Sequence, residues 1–156
     1  MPQTRVHTTL AKQLALFVVL YSPLQMASDE IENYEANPEP FNFIVSCPTD
    51  WSRTVVPEAC IGSYVTIARC DKGEGYWYIG SITGDEERTA NISLSFLDTD
   101  KRYLATIYRD APEADYETCP AAILIEEREV TYSDTLTIRQ ARSGGTAVRL
   151  CPIKDS

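Results

Sequence analysis

The sequence predicts a mainly β protein: an antiparallel β-sandwich of seven to eight strands preceded by an N-terminal α-helix. Three observations carry that expectation. Past Trp51, apolar and polar residues alternate in short runs. Stretches with turn chemistry, such as DKGEG, GDEER and LDTDK, separate those runs. Ahead of them lies a single apolar segment with helical spacing.

That segment is HTTLAKQLALFVVLYSPLQMASD, in which every residue from Leu14 to Tyr21 is apolar. Leu10, Leu14, Phe17, Tyr21 and Leu24 recur at helical intervals, and Ala11, Ala15 and Val18 form a second, flatter apolar face. Thr8 or Thr9 is placed to cap the start. Ser22 followed by Pro23 predicts a break and a new short turn. Pro23 and Gln25 leave the run well short of the roughly 20 apolar residues of a membrane span. Arg5 and Lys12 before a short apolar core imitate a signal peptide. Cleavage after Ala27 or Ser28 would however put Gln25 or Met26 where a small residue is wanted. The acidic stretch DEIENYEANPEP, with Pro38 and Pro40, is expected to be a linker. The division is therefore residues 1–50, helix and linker, and 51–156, sandwich.

Strands are expected at YVTIARC, YWYIGSIT, ANISLSFL, RYLATIYRD, AILIEEREV, DTLTIRQA and TAVRLCPI, with an eighth, less regular one at RTVVPEAC. Ile67, Trp77 and Ile79 are expected to point inward. In LATIYRD, Leu104, Thr106 and Tyr108 share one face and Ala105 and Ile107 the other, and both faces are apolar. A sheet of that kind leans on something besides its partner sheet.

Composition removes several functions. With 23 acidic against 14 basic residues and a net charge of −9, no basic face exists to meet a phosphate backbone, so nucleic acid is not a partner. The five cysteines Cys47, Cys60, Cys70, Cys119 and Cys151 lack close zinc or redox spacing and read as small buried or half-buried thiols. His7 is the only histidine, which leaves Ser–His and Cys–His chemistry without support. Asp85, Glu86, Glu87, Asp98, Asp100, Asp110, Glu113 and Asp115 sit in or near turns, where carboxylates serve solvation and backbone hydrogen bonds. DTD at 98–100 lacks the glycine and terminal glutamate of a calcium loop, and SGG at 143–145 is a turn with no helix after it. NIS at Asn91 matches the glycosylation pattern inside a strand. Trp51, Tyr76 and Trp77 are the candidate sugar-stacking rings, weighed against packing of a core.

QLALFVVLYSPLQM and IYRDAPEADY, with NYE, FNFI, YVTIAR and YWYIGSITGDEERTANISLSFL between them, resemble the C-terminal part of glycoside hydrolase family 97, over about Thr8 to Leu150. This is a bacterial family of α-glucosidases and α-galactosidases, many from gut Bacteroidetes. The resemblance implies an N-terminal β-sandwich, a catalytic (β/α)8 barrel and a C-terminal β-sandwich that supports the barrel or mediates oligomerisation. The opening helix then corresponds to the last barrel helix, with Leu10, Leu14, Phe17, Tyr21 and Leu24 as its packing interface. Catalytic carboxylates and calcium ligands belong to upstream barrel segments, so no catalytic or metal residue carries over, and calcium is expected only in the full-length parent. The expected partners are that barrel or another copy of the chain, with oligosaccharide as a further candidate. The parent family is usually exported to the periplasm. The expected reading is a non-catalytic fragment. The alternatives are a carbohydrate-binding module, or a secreted stand-alone sandwich whose residues 1–28 are a signal peptide.

Overall fold

The computed structural model describes residues 6–26 and 31–154. Three helices come first: α1 (Leu10–Val19), α2 (Ile31–Ala36) and α3 (Pro38–Ser46). Eight strands follow: β1 (Arg53–Cys60), β2 (Tyr64–Cys70), β3 (Trp77–Thr83), β4 (Arg88–Ser93), β5 (Arg102–Asp110), β6 (Ile123–Thr131), β7 (Thr135–Gln140) and β8 (Gly145–Pro152). A six-stranded antiparallel sheet in the order β1-β2-β3-β8-β5-β6 faces a two-stranded β4-β7 ladder. The last strand lies near the middle of the large sheet, and its residues Gly145 to Val148 and Leu150 are buried.

Register decides which side chains enter the space between the sheets. Ala68 stands opposite Ile79, Ile79 opposite Val148, and Val148 opposite Ile107. With Trp77, Tyr103, Ala105 and Leu150 they pack on Ala90, Ile92, Leu136 and Ile138 of the small ladder. Ile67 pairs with Gly80, so it lies on the opposite face from Trp77 and Ile79 rather than beside them. The expected strand at ANISLSFL stops at Ser93, because Leu94 to Leu97 form a turn that buries Leu94, Phe96 and Leu97. The irregular strand at RTVVPEAC is β1, an edge strand whose pairing slips between Val55 and Glu58, around Pro57. Proline has no N–H to give a ladder, and an edge with a bulge tolerates it.

The second face of the large sheet carries the helices. The segment expected to be a linker forms α2 and α3 instead. Pro38 opens α3 and Pro40 falls in its first turn, positions where the missing N–H has no intrahelical partner to lose. Phe43 of α3 is fully buried, edge-on to Tyr78 and Tyr108. α1 buries Ala11, Leu14, Ala15 and Val18 against β3 and β8, and each of the two larger side chains contributes about 1.5–3 kcal/mol. Thr9 caps it by accepting from the Lys12 N–H at 3.3 Å, and Leu10 N–H donates to the Pro120 carbonyl at 2.8 Å.

The helix ends at Val19, before Pro23 would force it to end. The helix is therefore shorter than the five-residue stripe. Leu14 is buried, Leu10 and Phe17 are half-buried, and Tyr21 and Leu24 lie past the helix, 59% and 72% exposed. Ser22 and Pro23 make a bend in which Ser22 and Leu24 hydrogen-bond, not a second helical turn. The face on the sheet is the alanine face, because small side chains let the helix approach closely.

Two glycines of the sheet complete that approach. A Cβ on Gly80 would collide with the Ala15 carbonyl oxygen, and one on Gly145 would lie 2.6 Å from Ser81 O and 2.9 Å from Lys12 Cα. Gly80→Ala is expected to destabilise the fold by about 1–3 kcal/mol through overpacking. In a thermal melt this lowers the midpoint by about 2–4 °C for each kcal/mol. An unchanged melt would mean that α1 does not sit on Gly80.

Candidate functional site

No group of three or more His, Cys, Asp or Glu side chains capable of holding a metal occurs among the described residues. Two of the turn carboxylates bind the backbone. Asp71 accepts from Gly75 and Tyr76 N–H at 2.8 and 3.1 Å, and Asp115 from Glu117 and Thr118 N–H at 2.9 and 3.1 Å. Asp110, counted among the turn acids from sequence, is instead 1% exposed at the end of β5. Burial pushes its carboxyl up, while Thr9 and the N–H groups of Ala141 and Gly145, at 2.9 and 3.0 Å, pull the other way. It fastens the β7–β8 turn beside the start of α1, a structural task. His7 is exposed, with its ring 6.4 Å from that of Tyr116.

The three candidate stacking rings do not share a surface. Tyr76 and Trp77 are consecutive, so a strand sends them to opposite sides. Trp77 is 4% exposed between the sheets, 4.7 Å from the Phe96 ring. Trp51 is half-buried on the helix side, edge-on to Tyr78 at 5.6 Å. Tyr76 is half-buried with the Arg149 guanidinium 5.4 Å over its ring. Titration with maltooligosaccharides to millimolar concentration is therefore expected to leave tryptophan fluorescence unchanged. A saturable shift would put sugar on Trp51 and reverse this.

What the structure does assemble is a helical layer. Arg69 of β2, 8% exposed, reaches through the sheet's outer face and donates from Nε to the Val18 carbonyl at 2.7 Å and from Nη2 to the Val19 carbonyl at 3.4 Å. A cation at the carbonyl end of a helix satisfies orphan acceptors and the helix dipole together. The sequence signal was available, since Arg69 shares its face with Ile67 in a strand otherwise short of charge. Between α1 and the α2–α3 pair lies a cavity of about 380 Å³ lined by Leu10, Leu14, Tyr34, Phe41, Ile44 and Pro120. Tyr34 and Phe41 stack at 4.7 Å.

Cys47 closes α3 in the same cluster as Trp51 and Tyr78, and burial pushes its thiol up to about 12. The ordinary value is 9.0, so the folded chain keeps a proton that the unfolded chain releases. The corresponding stability is fully present below about pH 9 and is lost as the pH rises toward the folded value. Burial shifts Tyr78 and Tyr108 in the same direction. In denaturant titrations at about pH 8 and about pH 10.5, Cys47→Ala is expected to lose less stability than the parent chain between the two conditions. Equal losses would contradict a half-buried, protonated Cys47.

A β-sandwich with one face clad by short helices is the arrangement that the resemblance implies for a C-terminal domain. The comparisons agree. A family described as "Glycosyl-hydrolase 97 C-terminal, oligomerisation" matches residues 50–151, and the chain belongs to that family. A retaining alpha-galactosidase of Bacteroides thetaiotaomicron is 35% identical over 147 residues, covering 91% of this chain and 21% of that protein. A glycoside hydrolase family 97 enzyme from Pseudoalteromonas sp. strain K8, solved with acarbose, is 45% identical. It superposes with a TM-score of 0.93 over 96% of this chain and 23% of its own. A beta-arabinopyranosidase, 22% identical with a TM-score of 0.75 over 94% of this chain and 22% of its own, shares the fold. The chain thus spans between a fifth and a quarter of the length of the Bacteroides and Pseudoalteromonas relatives.

Proposed function

We propose that this chain supports a catalytic barrel acting on α-glucosides or α-galactosides, and that the helical layer is the surface that meets the barrel. One observation carries the reading. Of the eleven large apolar side chains that stand exposed among the described residues, seven lie between Val6 and Val45, including Leu20, Tyr21, Leu24, Met26 and Ile31. Apolar residues concentrated on one layer mark a contact surface. The family match begins at residue 50, whereas the superposition on the Pseudoalteromonas enzyme covers 96% of the chain, so most of the helical layer recurs in that enzyme too.

The test mixes this chain with a family 97 enzyme shortened by its C-terminal region. A stoichiometric complex is expected, and it is expected to disappear when Leu20 and Leu24 are both changed to Glu, with the circular dichroism of the chain unaltered. Failure of the unaltered chain to bind, or hydrolysis of an aryl α-galactoside or α-glucoside by the chain alone, would overturn the proposal.

A further inference from the structure

The large sheet has two free edges of unlike character. β1 carries Pro57 and a register slip between Val55 and Glu58, devices that discourage another strand from pairing there. β6 has neither. Its nine residues pair with β5 in unbroken register from Arg102 opposite Thr131 to Asp110 opposite Ile123, and its outer edge has no neighbouring strand. A regular, proline-free edge offers a row of backbone donors and acceptors to an incoming strand.

The side chains along that edge choose the incoming strand. Leu124, Glu126, Arg128 and Val130 alternate on one side of β6, the side that β5 shares through Ile107 and Ala105. The small β4-β7 ladder leaves most of this row uncovered: Leu124 is 39% exposed, and Glu126 and Arg128 are exposed. Arg128 makes no ion pair or hydrogen bond with the described residues. Glu126 is bound to Arg109 at 3.1 Å, with its side chain still 46% exposed.

We infer that β6 pairs antiparallel with β6 of a second copy across a two-fold axis at Glu127, joining two large sheets edge to edge. In that register Glu126 faces Arg128 and Leu124 faces Val130, and symmetry makes each pair twice. A centre at Glu126 would oppose that glutamate to itself and Leu124 to Arg128. A centre at Arg128 would oppose two arginines and set Glu127 against Glu129. Of the three, the Glu127 centre alone matches charge with charge and apolar with apolar along the Leu124 to Val130 row, with Val130 itself buried; on the other side of the sheet it sets Ile125 against Glu129. Its one like-charge contact is Glu127 with itself, on the other side of the sheet, where each carboxylate accepts from the Thr106 hydroxyl at 3.0 Å. The axis stands perpendicular to the sheet, so the helices of both copies lie on the same side.

The inference rests on the reading of the chain as an association domain, and the experiment separates the two. Sedimentation of the full chain is expected to show a reversible dimer. Arg128→Glu alone and Glu126→Arg alone each replace two attractive pairs by two repulsive ones, and each is expected to weaken the dimer by about tenfold or more. An equimolar mixture of the two variants regains both attractive pairs and is expected to recover association as a heterodimer. Arg128→Glu breaks no hydrogen bond or ion pair among the described residues, although it loses the attraction of Arg128 for Asp134, and an unaltered circular dichroism spectrum shows that its effect is not one of misfolding. A dimer indifferent to both substitutions, or a mixture no tighter than its components, would remove β6 as the interface while leaving the association reading in place. A chain that stays monomeric at about 100 μM would remove self-pairing altogether and leave only the contact with the barrel.

Discussion

The fold depends on how closely the α1 backbone approaches β3 and β8. Ala11 and Ala15 are small on the helix, and Gly80 and Gly145 have no side chain on the sheet, so Ala15 and Lys12 ride directly on strand backbone. Every other attachment of the helix presupposes that distance. The Thr9 N–H meets the Ser143 carbonyl at 3.2 Å, Lys12 Nζ the Thr83 carbonyl at 2.7 Å, and Arg69 the carbonyls of Val18 and Val19. A methyl group inserted into this contact would displace the helix from all three at once.

The same approach explains the β7–β8 turn. Gly144 is needed there for space, since a Cβ would strike the Asp110 carboxylate and fall 2.6 Å from the Ala141 carbonyl oxygen. Ser143, not a glycine, takes the left-handed backbone with φ of 50°. A serine in that region is uncommon, and it is held by its N–H to the Gly84 carbonyl at 2.7 Å as well as by Thr9. Helix start, turn and the buried end of β5 are therefore one unit, which is why a carboxylate can stay buried there with two backbone donors.

Much of this was legible from the chain alone. Alternation placed all eight strands to within a few residues, because a half-buried strand must switch environment at every position. The apolar character of both faces in LATIYRD foretold a cover on the second face, and α1 and α3 supply it. What alternation could not give is which parity points inward when both are apolar, and Ile67 was assigned to the wrong side for that reason. The linker was misread because prolines punctuate a sequence equally well before a helix and within a loop. The second, flatter face of Ala11, Ala15 and Val18 is the one that meets the sheet, and the stripe ran longer than the helix because Tyr21 and Leu24 lie past Val19. Nothing local in the sequence says that Gly80, in the middle of a strand, lies beneath a helix; that follows only once β3 and α1 are placed in space.

The surface left over is divided by chemistry. The helical layer exposes large apolar side chains, among them Leu20, Tyr21, Leu24 and Ile31, together with the carboxylates Glu32, Glu35 and Glu39. The β6 edge exposes Glu126 and Arg128 with Leu124 at one end, while Val130 is buried, the composition of a contact that chooses its register by charge and remains reversible. The two lie on different parts of the domain: β6 turns its Ile123 and Ile125 under the helices and its Glu126 and Arg128 away from them. A domain arranged in this way can stay fixed to one neighbour through its helices and still offer its sheet edge to another copy, because occupying the first surface leaves the second open.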